Sequence, residues 1–343
     1  MRALVRRNNN ICIEEISMPK VIDSRDAIVK VTYSSICTSD IHIIKGFVPR
    51  ANDNIVLGHE FVGEVVELGS DVKNISVGQR VASNCITFCG DCFYCKKGFI
   101  NNCENGGWEL GCRIDGCQAE YVRVPFADMG LTLIPDNVSY TQALFTGDIL
   151  ASGYFGAELC DINPDENVAI IGCGPVGLCA MKCAKLFTNG KIFAIDIDAE
   201  RLKFVKDNGF ADVVINPLLE NVKGVINSYT DNHGADNVIE VAGTKESFAL
   251  SWDIARANAT VAIVAMYEEN IELPLPSMYG KNLVFKTGGV DAIHCAELLK
   301  RISQGELSTD FLISKTFVLD DIKRAYEYFE TKENNCLKVV IQH

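Results

Sequence analysis

The sequence predicts an α/β protein of two domains, one rich in β-strands and one built on a doubly wound parallel sheet. In about the first 150 residues, segments such as Ile11–Ile16 and Ala27–Tyr33 alternate apolar and polar residues, as half-buried strands do. From Val168 onward, short β-branched runs alternate with helical segments, which is typical of parallel strands joined by helices. The length of 343 residues fits two domains of about 100–200 residues each.

The β-rich part is predicted from β-branched runs that lie beside glycines and turns. Its further strands are Phe61–Leu68, Gln79–Ser83 and Ala119–Val124. Residues 85–117 between them are rich in cysteine and show no regular periodicity, so we expect an irregular loop there. A helix is predicted over Tyr140–Leu159, because that segment has helical spacing and contains no proline.

The parallel sheet is predicted from six short runs, two of which are followed by clear helical patterns. The strands are Val168–Ile171, Lys191–Ile195, Asp212–Ile215, Asn237–Val241, Thr260–Ala265 and Leu283–Thr287, and the helices are Pro175–Phe187 and Ala199–Asn208. The remainder of the chain predicts helices at Ala292–Gln304 and Leu319–Thr331 and a strand at Leu337–Gln342.

The charge balance narrows the choice of partners. Lysine and arginine number 32 and aspartate and glutamate 45, which gives a net charge of −13. Such acidity disfavours binding to nucleic-acid phosphates or to an anionic membrane surface. The most apolar stretch, Val168–Met181, is too short to span a bilayer, and the first residues carry no apolar targeting segment. We therefore expect a cytoplasmic protein whose 15 cysteines stay reduced, with no nucleic-acid or membrane partner.

A glycine-rich turn over residues 172–177, Gly-Cys-Gly-Pro-Val-Gly, joins a predicted strand to an apolar helix. In that setting the first glycine permits a tight turn, the second lets a pyrophosphate approach the backbone, and the third allows close helix packing. The helix N-terminus adds amide donors for the phosphates. The residues expected to bind a dinucleotide are Gly172, Gly174, Pro175, Val176 and Gly177.

The choice of dinucleotide is predicted by Asp196, which ends the next strand 19 residues after Gly177. A carboxylate there can accept hydrogen bonds from both adenosine ribose hydroxyls and would repel a 2′-phosphate, so we expect NAD(H) rather than NADP(H). Arg201, about one helical turn further on, is expected to border the adenine or a phosphate. The nicotinamide is expected at the ends of later strands, near Ala242, Ala265 and Gly289.

Four cysteines have the spacing of a metal site: Cys89-x2-Cys92-x2-Cys95-x7-Cys103. Four thiols so spaced can surround one tetrahedral ion within a small lobe. An iron–sulfur cluster is the rival interpretation, because its motifs also open with C-x-x-C-x-x-C. Zinc is favoured, since the last spacing is seven residues and Cys103 is followed by glutamate rather than proline. A closed shell of four thiolates indicates a structural role.

Four more residues suit metal binding but are scattered along the chain: Cys37, His59, Glu60 and Asp148. A catalytic zinc ion needs three protein ligands and one open position. Sequence spacing alone does not bring these residues together.

Residues 58–72 read G-H-E-x2-G-x5-G-x2-V, which matches the signature of zinc-containing alcohol dehydrogenases at every fixed position. The four cysteines and the glycine-rich turn follow in that family's order. The chain therefore resembles the medium-chain, zinc-dependent alcohol dehydrogenases over essentially its whole length. Within that family it looks most like the bacterial secondary alcohol dehydrogenases, because of the segments Thr-Gly-Asp-Ile at 146–149 and Tyr-Phe-Gly-Ala-Glu-Leu at 154–159. This resemblance implies a GroES-like catalytic domain, 1–151 with 291–343, which includes a structural-zinc lobe at 85–117. It also implies a Rossmann NAD-binding domain at 152–290.

The resemblance also implies roles for individual residues. Ser39 would contact the substrate oxygen and begin proton release, with His42 nearer to solvent, and Glu60 would lie beside the catalytic zinc ion. Each chain would bind two zinc ions besides NAD. The catalytic ligands would be Cys37, His59 and Asp148, and the structural ligands would be Cys89, Cys92, Cys95 and Cys103.

The expected reaction is hydride transfer between NAD(H) and a secondary alcohol or its ketone, with zinc stabilising the alkoxide. Ile86, Trp108 and Met266 would form an apolar pocket wall, which suits a secondary alcohol, a diol or a bulky compound such as a hydroxysteroid. Polyol or L-threonine dehydrogenation is the alternative, although no arginine for the threonine carboxylate is evident in the expected pocket. The resemblance implies a homo-oligomer, either a dimer or a tetramer.

Two other classes of protein share parts of this pattern. A zinc- or redox-sensing protein would use many thiols, but it is expected to lack the open metal site. A catalytically silent NAD-binding protein would keep the coenzyme domain, but it is expected to have lost Ser39 or a zinc ligand. The presence of Ser39, Cys37, His59 and Asp148 favours an enzyme.

Overall fold

The computed structural model describes residues 1–8 and 10–343. These residues form two compact units, Met1–Ala151 with Asp291–His343 as the first and Ser152–Val290 as the second. Within the described residues, no helix has both the length and the apolar character needed to cross a membrane.

The first unit begins with short strands and helices. Its strands up to residue 151 are β1 (Arg2–Arg7), β2 (Asn10–Glu15), β3 (Ala27–Ser35), β4 (Ile55–Val56), β5 (Glu60–Leu68), β6 (Arg80–Ser83), β7 (Tyr121–Val124) and β8 (Leu131–Leu133). Its helices are α1 (Thr38–Ile44), α2 (Ala127–Gly130), α3 (Tyr140–Ala143) and α4 (Ile149–Cys160), the last of which continues past residue 151.

The second unit alternates strands with helices, after which the chain returns to the first unit. Its strands are β9 (Val168–Ile171), β10 (Ile192–Ile195), β11 (Val213–Ile215), β12 (Ala235–Glu240), β13 (Ala255–Ile263) and β14 (Val284–Thr287). Its helices are α5 (Pro175–Ala184), α6 (Ala199–Asp207), α7 (Val222–Tyr229), α8 (Lys245–Ile254) and α9 (Leu275–Met278). The first unit then adds α10 (Cys295–Ser303), β15 (Ile313–Val318), α11 (Ile322–Glu330) and β16 (Lys338–Gln342).

The first unit contains two sheets. The larger has the strand order β15-β16-β3-β5-β6-β8, with β7 also pairing with β3, and the smaller has the order β2-β1-β4. Strand β16, from near the end of the chain, lies antiparallel to β3, so that Val340 pairs with Ser35. The core beneath these strands includes Val29, Phe61 and Val65, all fully buried. The late segment of the chain is therefore part of the sheet that carries Cys37 and His59.

The second unit is a six-stranded parallel sheet with the order β11-β10-β9-β12-β13-β14. Strands β9 and β10 are buried at every position, as expected of a parallel sheet that is covered on both faces. The strand order reverses between β9 and β12, and ligands bind at such a switch point, outside the carboxyl ends of the strands. This architecture confirms the predicted α/β class with a doubly wound sheet.

The helix predicted over Tyr140–Leu159 is wrong in its middle, because residues 144–148 form turns between α3 and α4. A Cβ at Gly147 would lie 1.7 Å from the carbonyl oxygen of Ser83, so this glycine packs directly on the end of β6. The amide of Cys85 also donates a 3.0 Å hydrogen bond to the Gly147 carbonyl. Tertiary contact thus outweighs the local helical pattern, and the break is where Asp148 lies.

Four strands, β1, β4, β8 and β15, are missing from the sequence prediction. In β1 the arginines at both ends mask a buried centre, Ala3–Val5. Strand β15 is at the edge of its sheet and is mostly exposed, so its sequence lacks the alternation of a half-buried strand.

Candidate metal and coenzyme sites

Four thiols converge in a small lobe of the first unit. The sulfur atoms of Cys89 and Cys103 are 3.6 Å apart, and those of Cys92 and Cys103 are 4.0 Å apart. With Cys95, all four sulfur atoms lie within 4.8 Å of one another. Zn–S bonds of about 2.3 Å place the sulfur atoms of a tetrahedral site roughly 3.8 Å apart. The lobe therefore fits a zinc ion bound by the four cysteines that the sequence singles out.

Hydrogen bonds favour the thiolate form of Cys89, whereas burial raises the pKa of Cys95 to about 12 and raises that of Cys103. The backbone amides of Cys89 and Asn105 donate to the Cys103 sulfur at 3.3 and 3.4 Å, and the Asn105 side chain donates to the Cys89 sulfur at 3.4 Å. Burial opposes ionisation, but the Asn105 side chain and the amides of Asp91 and Cys92 outweigh it and lower the pKa of Cys89 to about 6. Thiolates are the form that binds zinc.

A second group of residues that could bind a metal ion comes from three distant parts of the first unit. Cys37 lies between β3 and α1, His59 and Glu60 lie at the start of β5, and Asp148 lies in the turn before α4. One ligand atom from each of these residues lies within 4.8 Å of the other three. The fold thus brings together the residues that sequence spacing leaves apart.

His59 lies at the centre of this group. Its Nε2 is 3.2 Å from the Ser39 hydroxyl and 3.2 Å from Asp148 Oδ2, and its Nδ1 is 3.4 Å from Asp40 Oδ1. A carboxylate behind the ring is the arrangement that orients metal-binding histidines. Burial disfavours a charged imidazole, yet Asp40 and Asp148 raise the pKa of His59 well above its ordinary value. The surroundings of His59 therefore stabilise a cation.

Glu60 faces a buried lysine. Lys338 Nζ lies 2.9 Å from Glu60 Oε1 and 2.7 Å from Oε2, and both side chains are buried. Burial raises the pKa of Glu60, whereas the Lys338 ammonium lowers it and favours the carboxylate. Lys338 offsets one negative charge, which leaves Cys37 and Asp148 to be balanced when they ionise. A dication would balance them, so the chemistry of the donor set fits zinc.

A buried chain of polar side chains supports His59 from behind. Asp40 Oδ2 accepts hydrogen bonds from the Cys37 amide at 3.0 Å and from the Gln118 side chain at 3.3 Å. The Tyr326 hydroxyl in turn donates to Gln118 Oε1 at 2.8 Å. Gly58 has a φ of +93°, and a Cβ there would come within 2.7 Å of Gln118. Sequence reasoning missed this chain, because no motif links Asp40, Gln118 and Tyr326.

Trp108, Ile86 and His42, which the sequence predicts on the substrate side, lie in three different surroundings. The Trp108 ring packs edge-on against His59 at 5.7 Å, and the Arg50 guanidinium lies over the same ring at 5.3 Å. No sequence motif predicts that Arg50 lies over Trp108. Ile86 is buried and follows Cys85 in the chain. The Cys85 amide donates a hydrogen bond to the Gly147 carbonyl, next to Asp148. The His42 ring contacts Phe47, 6.2 Å away.

The glycine-rich turn follows β9 at the switch point of the parallel sheet. Gly172 has a φ of +105°, and a Cβ at Gly177 would lie 1.8 Å from the Gly172 carbonyl oxygen. Gly174 precedes α5, with Pro175 at its first position and Val176 at its second, and a Cβ on Gly174 would lie 3.4 Å from the Arg201 guanidinium. Arg201 therefore borders the turn where the sequence predicts phosphates.

Asp196 is already hydrogen bonded to the backbone. Its Oδ2 accepts from the Cys173 amide at 2.6 Å and its Oδ1 from the Asp198 amide at 2.9 Å. Asp196 thus fixes the turn, and each of its oxygens keeps a further lone pair for a ribose hydroxyl.

On the predicted nicotinamide side, Glu240 joins two loops. This buried carboxylate accepts 2.8 Å hydrogen bonds from the amides of Ala242 and Gly243, and a 2.6 Å hydrogen bond from the Tyr267 hydroxyl. Burial and Glu240 together raise the pKa of Tyr267, so the phenol stays a donor. Ala265 is half-buried, whereas Met266 and Gly289 are exposed. Sequence reasoning missed Glu240 because it reads as a strand residue.

Comparison with known families identifies both units. The chain matches the alcohol dehydrogenase GroES-like domain over residues 23–136 and the zinc-binding dehydrogenase domain over residues 175–298.

Relatives and solved structures extend this match along the whole chain. The zinc-type alcohol dehydrogenase B of Aspergillus flavus is 35% identical, over 99% of this chain and 80% of its own length. Alcohol dehydrogenase TADH from Thermus sp. ATN1 is 33% identical with a TM-score of 0.92, over 100% of this chain and 99% of that one. Zinc-dependent alcohol dehydrogenase 2 from Streptococcus pneumoniae is 34% identical with a TM-score of 0.93, over 100% and 98%. On these matches, the chain belongs to the zinc-dependent medium-chain alcohol dehydrogenase family.

Proposed function

We propose that this protein is a zinc-dependent oxidoreductase that transfers hydride between NAD(H) and a secondary alcohol or its ketone. The observation that carries the proposal is the convergence of Cys37, His59, Glu60 and Asp148, with the Ser39 hydroxyl 3.2 Å from His59. We further propose that it works in the cytoplasm, where its fifteen cysteines, all thiols in the structure, would stay reduced.

In this proposal each residue has a defined task. Cys37, His59 and Asp148 would hold a zinc ion, which would supply a Lewis acid that lowers the pKa of an alcohol hydroxyl. Ser39 accepts the hydroxyl proton, and His42, one turn along α1, passes it toward solvent. Lys338 holds Glu60 next to the ligands. The four cysteines of the lobe hold the second zinc ion in a structural role.

The coenzyme is proposed to be NAD(H), held by the glycine-rich turn and by Asp196. The nicotinamide accepts or donates hydride when it is bound. Two neighbouring structures show both coenzymes in this fold: one from Escherichia coli CFT073 contains NADH, and one from Sinorhizobium meliloti contains NADP. In this chain the Asp196 carboxylate supports NAD(H), because it would repel a 2′-phosphate.

A panel of secondary alcohols, diols, polyols, L-threonine and hydroxysteroids, assayed with NAD and with NADP, tests the function. Secondary alcohols or diols should be oxidised, at least about tenfold faster with NAD. Asp196→Asn should reduce the preference for NAD over NADP, because the amide keeps an oxygen that accepts from the Cys173 N–H. Asp196→Ala should weaken the binding of both coenzymes, because it removes that acceptor. Failure to oxidise any member overturns the function, and equal rates with NADP in the wild type overturn the coenzyme assignment.

We also propose that the protein forms a homo-oligomer through the second unit. Strand β14 is an edge of the parallel sheet, and Val284 on it is exposed. Leu273, Leu275 and Tyr279 nearby are 53%, 61% and 87% exposed, which is unusual for large apolar side chains. Light scattering should give a mass of two or four chains, and Val284→Lys should reduce it. A monomeric wild type at micromolar concentration contradicts the proposal.

A further inference from the structure

We infer that the substrate carries an anionic group, a carboxylate or a phosphate, which Arg50 binds while the hydroxyl is held at the group of Cys37, His59 and Asp148. This inference rests on the proposed function, since it concerns the alcohol that the enzyme oxidises.

Arg50 is the first observation. It lies between α1 and β4, it is exposed, and its guanidinium covers the Trp108 ring at 5.3 Å. Although the chain has 45 acidic residues, no carboxylate within residues 1–8 and 10–343 forms an ion pair with Arg50. A guanidinium offers five N–H donors and binds carboxylates and phosphates in bidentate fashion. The guanidinium is therefore held over the Trp108 ring, where it also interacts with the buried Cys112 thiol, and it has no carboxylate partner among the described residues.

Trp108 is the second observation. Its indole Nε1 is buried and has no hydrogen-bond partner in the part of the chain that the structure describes. Burial of an N–H group without an acceptor costs free energy. Among the described residues, Arg50 thus has no anionic partner and the Trp108 N–H has no acceptor, and an oxygen of an anionic ligand would supply both.

Two distances relate Arg50 and Trp108 to the group of Cys37, His59 and Asp148. The centre of the Trp108 ring lies 5.7 Å from that of the His59 ring and 5.3 Å from the Arg50 guanidinium, so the guanidinium lies at most about 11 Å from the His59 imidazole. A hydrogen bond takes up about 3 Å at each end. At most about 5 Å then remains between the two hydrogen-bonded groups, which limits the carbon chain between hydroxyl and anion to a few atoms. The site is therefore suited to a short hydroxy acid or a polyol phosphate.

Matched substrate pairs test this inference. The pairs are 3-hydroxybutanoate with 2-butanol, and erythritol 4-phosphate with erythritol. The wild type should prefer the anionic member of one pair by at least about tenfold in kcat/KM, and the pair identifies a carboxylate or a phosphate. Arg50→Gln should abolish that preference and keep kcat/KM for the neutral member within about twofold of the wild type. Arg50→Lys should keep part of the preference. As a control, Arg324→Gln, which changes an exposed arginine on α11, should leave the preference unchanged.

A binding measurement gives a readout that does not depend on turnover. Trp108 and Trp252 are the two tryptophans, so in a Trp252→Phe background the fluorescence reports on Trp108. Titration with propionate or inorganic phosphate should change it saturably, and Arg50→Gln should remove the change. Oxidation of neutral alcohols with no anion preference and no effect of Arg50→Gln overturns the inference but keeps the proposed function. Absence of activity on both pairs and on the whole panel overturns both.

Discussion

Cys37→Ser is expected to lose one of two zinc ions and at least about a thousandfold in turnover. A Lewis acid contributes several kcal/mol to the transition state, and about 1.4 kcal/mol is a factor of ten in rate. Serine has no thiolate to bind zinc beside His59 and Asp148, whereas the four cysteines of the lobe are untouched. Elemental analysis should therefore find two zinc ions in the wild type and one in the variant, and NADH binding should persist.

Cys12→Ser is the matched control, because Cys12 lies outside both groups of metal ligands. It should keep both ions and the wild-type turnover. Retention of activity by Cys37→Ser, or iron in place of zinc in the wild type, contradicts the assignment of the catalytic group.

Lys338→Met is expected to destabilise the protein by about 3–5 kcal/mol, the cost of breaking a buried ion pair by removing one partner. The Lys338 ammonium lies 2.7 and 2.9 Å from the two carboxylate oxygens of Glu60, and both residues are nearly inaccessible to water. Without the lysine, the negative charge of the buried Glu60 carboxylate has no ammonium group to balance it. Urea unfolding in the presence of a chelator should measure the loss without a contribution from bound metal.

The double variant Glu60→Gln with Lys338→Met should recover much of that stability, since it removes both charges together. Lys323→Met, at an exposed position of α11, should change stability by no more than about 0.5 kcal/mol. If Lys338→Met lowers the free energy of unfolding no more than Lys323→Met does, the Glu60–Lys338 ion pair does not stabilise this unit.

The sequence predicts best the features that are local in the chain. The glycine-rich turn at 172–177 and the four cysteines at 89–103 each occupy a short segment, so their spacing alone carries the geometry. The strands β9 and β10 were predicted to within one residue, because buried parallel strands are short β-branched runs. Cys37, His59 and Asp148 were identified only through a family resemblance, since their contact depends on the topology of the sheet.

The features that the sequence did not predict depend on contacts between distant segments. Lys338 reads as an ordinary residue at the start of a strand, and its role appears only when β16 pairs with β3 beside Glu60. Arg50 reads as a surface charge until Trp108 is placed beneath it. The helical pattern over Tyr140–Leu159 was misleading, because Gly147 packs on Ser83 and breaks the helix.

The pairing of Glu60 with Lys338 has a consequence for synthesis on the ribosome. The two residues are 278 positions apart, so at about 5–20 residues per second Lys338 emerges roughly a quarter of a minute to a minute after Glu60. The second unit is continuous in sequence and is complete before Lys338 is made. During that interval the nascent first unit holds an acidic ligand cluster without its lysine. Complete charge balance around Cys37, His59 and Asp148 therefore comes late in synthesis, whereas all four cysteines of the lobe have been made by residue 103.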